Sequence, residues 1–410
     1  MSRDELAVWL YGERVAIVDR ERGRIGLRYT EEALARHDLG SPVLSLSLPV
    51  SKTRFTQGSA KPFLDGLLPE GEPRRAIARR LGLGQDDTFG LIEELGRDCA
   101  GAVVFQPPDA PPPPAATTAT AEPIDEARLA ELVSNLQSAP LGSGGRVRVS
   151  LAGVQEKLLL TRMPGGSWGL PVDGTPSTHI LKPEIPAYPH TVDNEAFCMR
   201  VAKHLGLDVA SVETTEVAGR KLLVVERFDR EVSGDGTTTR LHQEDFCQAV
   251  GMVADRKYEE DGGPSLRRIA EVVQAVAAPG SLEQLLRATT VNALIGNGDA
   301  HAKNLSLLHK PTGIITLAPL YDLLATAGYG ANHLAIRIDN VLRLDRLTAE
   351  RVVNEAAGWG LPRGRAAEVV AALLEAAPAA LESARDETPG LPDSIFHEVE
   401  EQLERLESPS

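Results

Sequence analysis

Cysteine is almost absent from this sequence of 410 residues: Cys99, Cys198 and Cys247 lie far apart and are odd in number. That excludes a disulfide framework and a close-spaced zinc site, and it predicts a reducing, cytoplasmic setting. Aromatic residues make up only 4%, so a core has to come from Leu, Val, Ile and Ala within an apolar content of 42%. No apolar run approaches the roughly 18 residues of a membrane-spanning helix, and Met1 to Glu5 opens without the apolar stretch of a signal peptide. The expectation is a soluble protein with no membrane partner. Basic residues number 43 against 58 acidic ones, a net charge of -15, which opposes wholesale binding to nucleic acid and leaves room only for a local patch. Among the basic residues, lysine is the rare one. Only nine of the 43 basic residues are lysine, so a lysine kept in this chain points to a place that needs a compact ammonium rather than a planar fork.

At about 150 residues per domain the length predicts two or three domains. The clearest boundary is residues 107–123, where Pro107, Pro108 and Pro111 to Pro114 run into Ala- and Thr-rich sequence with little charge. This reads as an extended, semi-rigid linker. Before it, residues 1–106 read as α+β. Strands at Ala7 to Tyr11, Arg14 to Val18 and Arg24 to Tyr29 break at Gly12 and Gly23, and Leu44, Leu46 and Leu48 alternate with serines as a further strand would. Helices are predicted over Glu72 to Leu81 and Asp87 to Leu95, closed by Gly82 and Gly96, before a strand at Ala102 to Phe105. Beyond the linker come a helix over Ile124 to Gln137, a Gly-rich stretch at Leu141 to Gly145, strands near Leu158 to Leu160, His179 to Leu181 and Lys221 to Arg227, and a helix over Asn194 to Leu205. The remainder is mostly helical. Its best helix is Ser281 to Ile295, where Ser281 and Gln284 stand at capping-box spacing.

The most informative stretch is Gly296-Asn297-Gly298-Asp299-Ala300-His301-Ala302-Lys303-Asn304. A long helix ends in glycines, presents a polar cluster, and re-enters an apolar strand. Asp299 and Asn304 have the Asp-x-x-x-x-Asn spacing of a protein-kinase catalytic loop, in which the carboxylate accepts a hydroxyl proton and the amide oxygen holds a metal. Asp322 follows after a further apolar segment, where a second oxygen ligand for magnesium belongs. Taken alone, these are also ordinary turn residues. Upstream, Lys182 ends an apolar strand, where an ammonium reaches nucleotide phosphates. Glu195 sits near the apolar stripe of its helix, so it either pairs with Lys182 or merely favours the helix dipole from the first turn. The loop from Ser150 to Lys157 has small residues where backbone can approach phosphate, although on its own it reads as a turn between strands. Glu226 to Asp229 ends a strand where a hinge would present main-chain groups to adenine, or simply runs on into a loop.

Together, the Ser150-Leu-Ala-Gly-Val-Gln-Glu-Lys157 loop, Ile180-Leu-Lys-Pro183, Asn194-Glu195, Glu226-Arg-Phe-Asp229, His242-Gln-Glu-Asp245 and Gly298 to Asn304 resemble the HipA family of bacterial serine/threonine kinases, toxin halves of type II toxin-antitoxin pairs. The resemblance covers nearly the whole chain. It implies a small N-terminal α/β domain over 1–106, then a bilobal kinase-like fold with an N-lobe part over 124–230 and a helical C-lobe over 231–410. It makes Asp299 the catalytic aspartate, Asn304 and Asp322 the magnesium ligands, and Lys182 the ATP lysine. The backbone of Ala152, Gly153, Val154, Gln155 and Glu156 would cradle phosphate, Glu226 and Phe228 would supply the adenine hinge, and Glu195, His301 and Lys303 would play supporting parts. Ser150 matches a serine whose autophosphorylation expels the loop and switches the kinase off, with Arg146 and Arg148 placed to hold the phosphoserine. The sequence departs from the family in its long proline-rich linker and in the bulk of Leu151 and Val154.

The implied cofactors are ATP and Mg2+. The implied partners are an aminoacyl-tRNA synthetase as substrate and a HipB-like helix-turn-helix antitoxin, with operator DNA reached mainly through that antitoxin. Arg74, Arg75, Arg79 and Arg80 offer either a DNA contact or a solvated helix face, the latter favoured by the net charge. Two other readings remain. One is a nucleotide-binding corepressor that transfers no phosphate; the other is a metal-dependent phosphohydrolase using Asp299, His301 and Asp322, which leaves Lys182, Glu195 and the Ser150 loop unexplained.

Overall fold

The computed structural model describes residues 4–118, 121–137, 139–141 and 146–408. The predicted Gly-rich stretch therefore lies, at 142–145, outside the described residues. The chain forms two compact units, one of residues 1–183, 217–220 and 224–254, the other of residues 184–216, 221–223 and 255–410.

The first unit begins with an antiparallel sheet of Glu5–Leu10, Glu13–Glu21, Arg24–Tyr29 and Val103–Gln106, in the spatial order third, second, first, fourth. Both hairpins turn on two residues of positive φ, Tyr11 with Gly12 and Arg22 with Gly23, the turn whose twist suits tight antiparallel strands. The sheet is buried on both faces, Leu6 to Leu10, Val15 to Val18 and Val103 to Gln106 each being buried without a break, and Ala7, Trp9, Ile17 and Val104 pack together on one of them. Helices Gly71–Leu81 and Thr88–Leu95 follow as predicted. Gly82 ends the first in the left-handed conformation, and Asp87 caps the second by accepting from Gly90 N at 3.0 Å. A helix at Gln57–Gly66 was not anticipated.

The alternation of Leu44, Leu46 and Leu48 does not make a strand. Between Pro42 and Pro49 the chain turns so that Ser45 Oγ and Leu46 N donate to the two oxygens of buried Glu244, at 2.5 and 3.0 Å. The serines alternate because one is a buried hydrogen-bond donor, not because they face water. The proline-rich linker is also not a free spacer. Ala116–Thr118 pairs with Thr237–Arg240, Glu122–Pro123 pairs with Trp168–Leu170, and Gln106 Nε2 donates to Pro111 O at 2.7 Å. Its threonines have the β-branched shape of strand residues, so the segment is strapped to the body it was expected to separate. By their contacts, residues 1–106 and 124–183 belong to one compact unit, whose main divisions from the other lie at 183 and 254.

A buried charge cluster locks this unit. Asp98 accepts from Arg230 at 2.8 Å and from the Ser177 amide and hydroxyl at 2.9 and 2.6 Å, while Arg227 makes two bonds to Asp229 at 2.8 and 2.9 Å. Arg240 stands 3.5 Å from Asp98. Behind it, strands Leu158–Arg162 and His179–Pro183 pair antiparallel, with Leu158 opposite Leu181.

The second unit is mainly helical. Arg363–Asp386 packs against Thr191–His204 and Ser281–Leu294, and Ala349–Gly358 and Asp393–Glu407 pack on the same long helix. Two short hairpins, Ser306–His309 with Ile315–Leu317 and His333–Ile338 with Val341–Arg343, complete it. Helix Ser281–Leu294 is where it was predicted, but the capping box is not formed. The chain enters through Gly280 at φ +89°, so the cap position falls on a residue without a side chain and Ser281 already belongs to the first turn.

Candidate active site

Helix Ser281–Leu294 delivers the polar loop of the second unit. Gly296 leaves it at φ +66°, and Asn297 fixes the next turn: its Nδ2 donates to Asn292 Oδ1 at 2.8 Å and its Oδ1 accepts from Asp299 N at 3.0 Å. Gly298 is required by close approach. Its N–H donates to Thr326 Oγ1 at 2.7 Å, and a Cβ there would press on His333 O at 2.6 Å. The loop then closes on itself, with His301 N donating to Asp299 O at 2.7 Å and Asn304 N to His301 O at 2.9 Å.

This folding brings together three residues that the sequence spreads over 23 intervening steps. Asn304 Nδ2 lies 3.3 Å from Asp299 O and 3.5 Å from Asp322 Oδ2. Asp299 is exposed, yet Tyr258 Oη donates to its Oδ1 at 2.6 Å. Surrounding atoms desolvate the Asp299 carboxyl and raise its pKa, and the nearby charge of Asp322 adds to this against the pull of Tyr258 and Lys257. Asp322 adopts a left-handed φ of +60° that aspartate tolerates better than bulkier residues do. Its neighbour Tyr321 is held by donation to Lys303 O at 2.7 Å, and Lys303 itself is buried.

His301, given a supporting part by the resemblance, lies buried in this loop. Its Nδ1 is buried without a partner among the described residues, and its ring meets Tyr258 edge-on with centroids 5.2 Å apart. Burial, reinforced by Lys257, pushes its pKa down to about 3, so it is neutral at pH 7. Two residues outside the predicted set matter here. Tyr258 carries no motif. Asn194, noticed only beside Glu195, is fully buried in helix Thr191–His204 and grips the backbone of Ala325 at both groups: Nδ2 donates to its carbonyl at 2.8 Å and Oδ1 accepts from its N–H at 2.9 Å. It thereby anchors the segment three residues beyond Asp322. Glu195, one position on, is 3% exposed.

The first unit holds the other predicted residues. Lys182 lies on strand His179–Pro183 and is 8% exposed. Ser150 is wholly buried; its Oγ donates to Leu67 O at 2.7 Å and its N–H to Asp98 O at 2.8 Å. The following loop is irregular backbone, with Gly153 at φ +116°, Val154 exposed, and Gln155 Nε2 donating to Pro183 O at 3.2 Å. Lys157 Nζ donates to Ala152 O at 2.7 Å, bracing the loop from within. Glu156 is partly buried, which raises its pKa. Glu226 is exposed at the end of strand Arg220–Glu226, and Phe228 is half-buried between the locked Arg227 and Asp229. Arg146 is engaged by Asp173 through its Nε at 2.9 Å.

Residues 149–381 match the HipA-like C-terminal domain, and residues 6–106 match the HipA N-terminal domain. The chain belongs to the HipA family. Among its relatives, the kinase-named protein Y4mE of Sinorhizobium fredii is 40% identical over 393 residues, 93% of each chain. The serine/threonine-protein kinase toxin HipA of Shewanella oneidensis is 33% identical over 336 residues, 78% of this chain and 76% of its own. The solved structure of Shewanella oneidensis HipA with HipB and operator DNA matches at a TM-score of 0.82 and 29% identity, covering 98% of this chain and 95% of that one. The HipA-family fold is thus the α+β, kinase-like one expected from the sequence. No helix among the described residues is long and apolar enough to cross a membrane.

Proposed function

We propose that this HipA-family chain is an ATP-dependent serine/threonine protein kinase acting as the toxin of a type II toxin-antitoxin module. The observation that carries the reading is the meeting of Asp299, Asn304 and Asp322 around one loop, with a raised Asp299 pKa suited to taking a proton. Asp299 orients the acceptor hydroxyl and receives its proton at a carboxylate oxygen while the hydroxyl oxygen attacks the γ-phosphorus and the bond to the bridging oxygen of ADP breaks. With ATP bound, the ammonium of Lys182 would offset phosphate charge, the Ala152 to Glu156 backbone would cradle the phosphates, and the main chain at Glu226 and Phe228 would supply the adenine hinge.

Magnesium belongs to this reading, and the donor set suits it. No group of three His, Cys, Asp or Glu gathers among the described residues, but Mg2+ asks only for one or two carboxylates beside phosphate oxygens. Asp322 and the Asn304 amide oxygen would hold it, and when bound it offsets charge on the transferred phosphoryl group.

Ser150 is the proposed site of autophosphorylation. A phosphate of nearly two negative charges cannot be seated on a hydroxyl that is fully buried against Leu67 O, so the segment has to leave its place, with Arg146 exchanging Asp173 for the phosphoserine beside Arg148. An aminoacyl-tRNA synthetase as substrate, a helix-turn-helix antitoxin as partner and the cytoplasm as compartment complete the proposal. The Shewanella complex supports an antitoxin and operator DNA. Contact with DNA mainly through the antitoxin is supported by Arg74 and Arg75, which are engaged by Asp65 and Glu72. The test is intact and peptide mass of phosphatase-treated protein after incubation with Mg-ATP, beside Asp299→Ala. A phosphate on Ser150 in the wild type alone is expected. Phosphorylation of both proteins, or of neither while a synthetase panel also stays unlabelled, refutes the reading.

A further inference from the structure

Beside the polar loop runs a stretch that no sequence motif marks. Tyr258 stands 41 positions before Asp299, yet its hydroxyl donates to Asp299 Oδ1 at 2.6 Å. Its ring is held from several sides. The carbonyl of the preceding Lys257 accepts from Ala302 N at 3.2 Å, the His301 ring meets it edge-on at 5.2 Å, and Lys257 Nζ lies 5.5 Å from its centroid. The backbone is folded back as tightly. Tyr258 O accepts from Gly263 N at 2.9 Å and from Asp261 N at 3.1 Å, and a Cβ on Gly263 would collide with the carbonyls of Arg256 and Tyr258. On the far side Glu259 accepts from Arg337 N at 2.7 Å. A short, braced segment therefore aims one hydroxyl at one oxygen of one carboxylate. The other oxygen, Oδ2 of Asp299, accepts no hydrogen bond from the described residues, and the residue is exposed.

We propose that Tyr258 is a positioning residue for phosphoryl transfer, fixing the Asp299 carboxylate through Oδ1 so that Oδ2 is presented to the acceptor hydroxyl. The inference rests on the reading of Asp299 as the proton acceptor. A carboxylate without this bond rotates about its last side-chain torsion and offers either oxygen over a range of angles, whereas transfer needs one arrangement held within a few tenths of an ångström. The hydrogen bond to a charged acceptor is of the strong kind, so losing it in the transition state costs about tenfold or more in turnover. It touches no phosphate-binding group, so ATP affinity should not change.

The experiment uses the full chain, phosphatase-treated, with Mg2+, radiolabelled ATP and dephosphorylated casein as the acceptor, and compares wild type, Tyr258→Phe, Tyr258→Leu and Asp299→Ala. Tyr258→Phe keeps the ring and its edge contact; we expect kcat to fall about tenfold or more, with KM for ATP and the thermal midpoint as in wild type. Tyr258→Leu should lose at least as much. Turnover of Tyr258→Phe within about twofold of an active wild type overturns the positioning role and leaves the kinase reading standing. A loss shared by KM for ATP or by the thermal midpoint marks a structural residue and overturns it as well. A wild type no faster than Asp299→Ala removes the reading of Asp299, and with it the role of Tyr258.

Discussion

Replacing Asp98 with asparagine removes one charge and almost no volume from the most buried ionic site in the first unit. Asp98 is fully buried, and Arg227, Arg230 and Asp229 are each at most 3% exposed in their side chains, with Arg240 at 7%. Three guanidiniums face two carboxylates, and the Nε atoms of Arg230 and Arg240 have no partner among the described residues. Burial alone would raise the Asp98 pKa, but Arg230, Arg227, Arg240 and Ser177 outweigh it and hold it below the usual carboxylate range. Asp98→Asn leaves three buried cations to one carboxylate, and its amide hydrogens face donors. Breaking a buried pair in this way costs about 3 to 5 kcal/mol. For a unit of this size, roughly 2 to 4 °C per kcal/mol converts that to a fall of about 6 to 20 °C in the thermal midpoint. The control is Asp173→Asn, which removes one of the two carboxylates, Asp173 and Glu122, beside exposed Arg146 and should cost at most about 1 kcal/mol. Urea unfolding of both variants in a Trp359→Phe background, which leaves Trp9 and Trp168 as the fluorescent reporters, with equal slopes required for comparison, reads the first unit. If Asp98→Asn unfolds within about 1 kcal/mol of wild type, or no earlier than Asp173→Asn, the cluster is not what holds this unit together. The sign with pH follows the depressed pKa: the contribution is complete above the unfolded carboxylate range and is lost as pH falls through the lower folded value.

Asn194→Ala should destabilise the second unit by about 2 to 4 kcal/mol, since two buried backbone groups of Ala325 lose their partners; it should also raise the Mg2+ concentration needed for half-maximal phosphoryl transfer by loosening the Asp322 segment, and an unchanged Mg2+ requirement refutes the anchoring role. His301, with its pKa pushed from 6.5 to about 3, binds a proton in the unfolded chain but not in the folded one over that interval. Stability of the second unit should therefore be complete above pH 6.5 and fall by up to about 1.4 kcal/mol per pH unit below it. His301→Asn should flatten that slope in unfolding measurements between pH 6.5 and 5; an unaltered slope assigns it to another group.

Much of the fold was legible because it rests on local rules. Strand Arg24–Tyr29, the helix ended by Gly82 and the helix that delivers Asp299 follow from alternation, capping residues and apolar stripes, each of which acts within a few residues. Those rules misread Leu44 to Leu48 and the proline-rich segment. In both, the deciding partner is distant in sequence: Glu244 for Ser45, and Thr237 to Thr239 for Ala116 to Thr118.

The candidate site divides in the same way. Asp299, Asn304, Asp322, Lys182 and the Ser150 loop could be named from the sequence because residue type and short spacing carry their chemistry, and the family resemblance rests on those stretches. Neither the hydroxyl of Tyr258 on Asp299 nor the two-point grip of Asn194 on Ala325 leaves such a trace, since a tyrosine 41 positions away and an asparagine 131 positions away are ordinary residues until folding sets them at 2.6 and 2.8 Å. Sequence alone marked the candidate groups. Tertiary structure decided which backbone and which carboxylate oxygen are held still, because contacts between distant segments depend on the closure of the whole core and not on any local pattern.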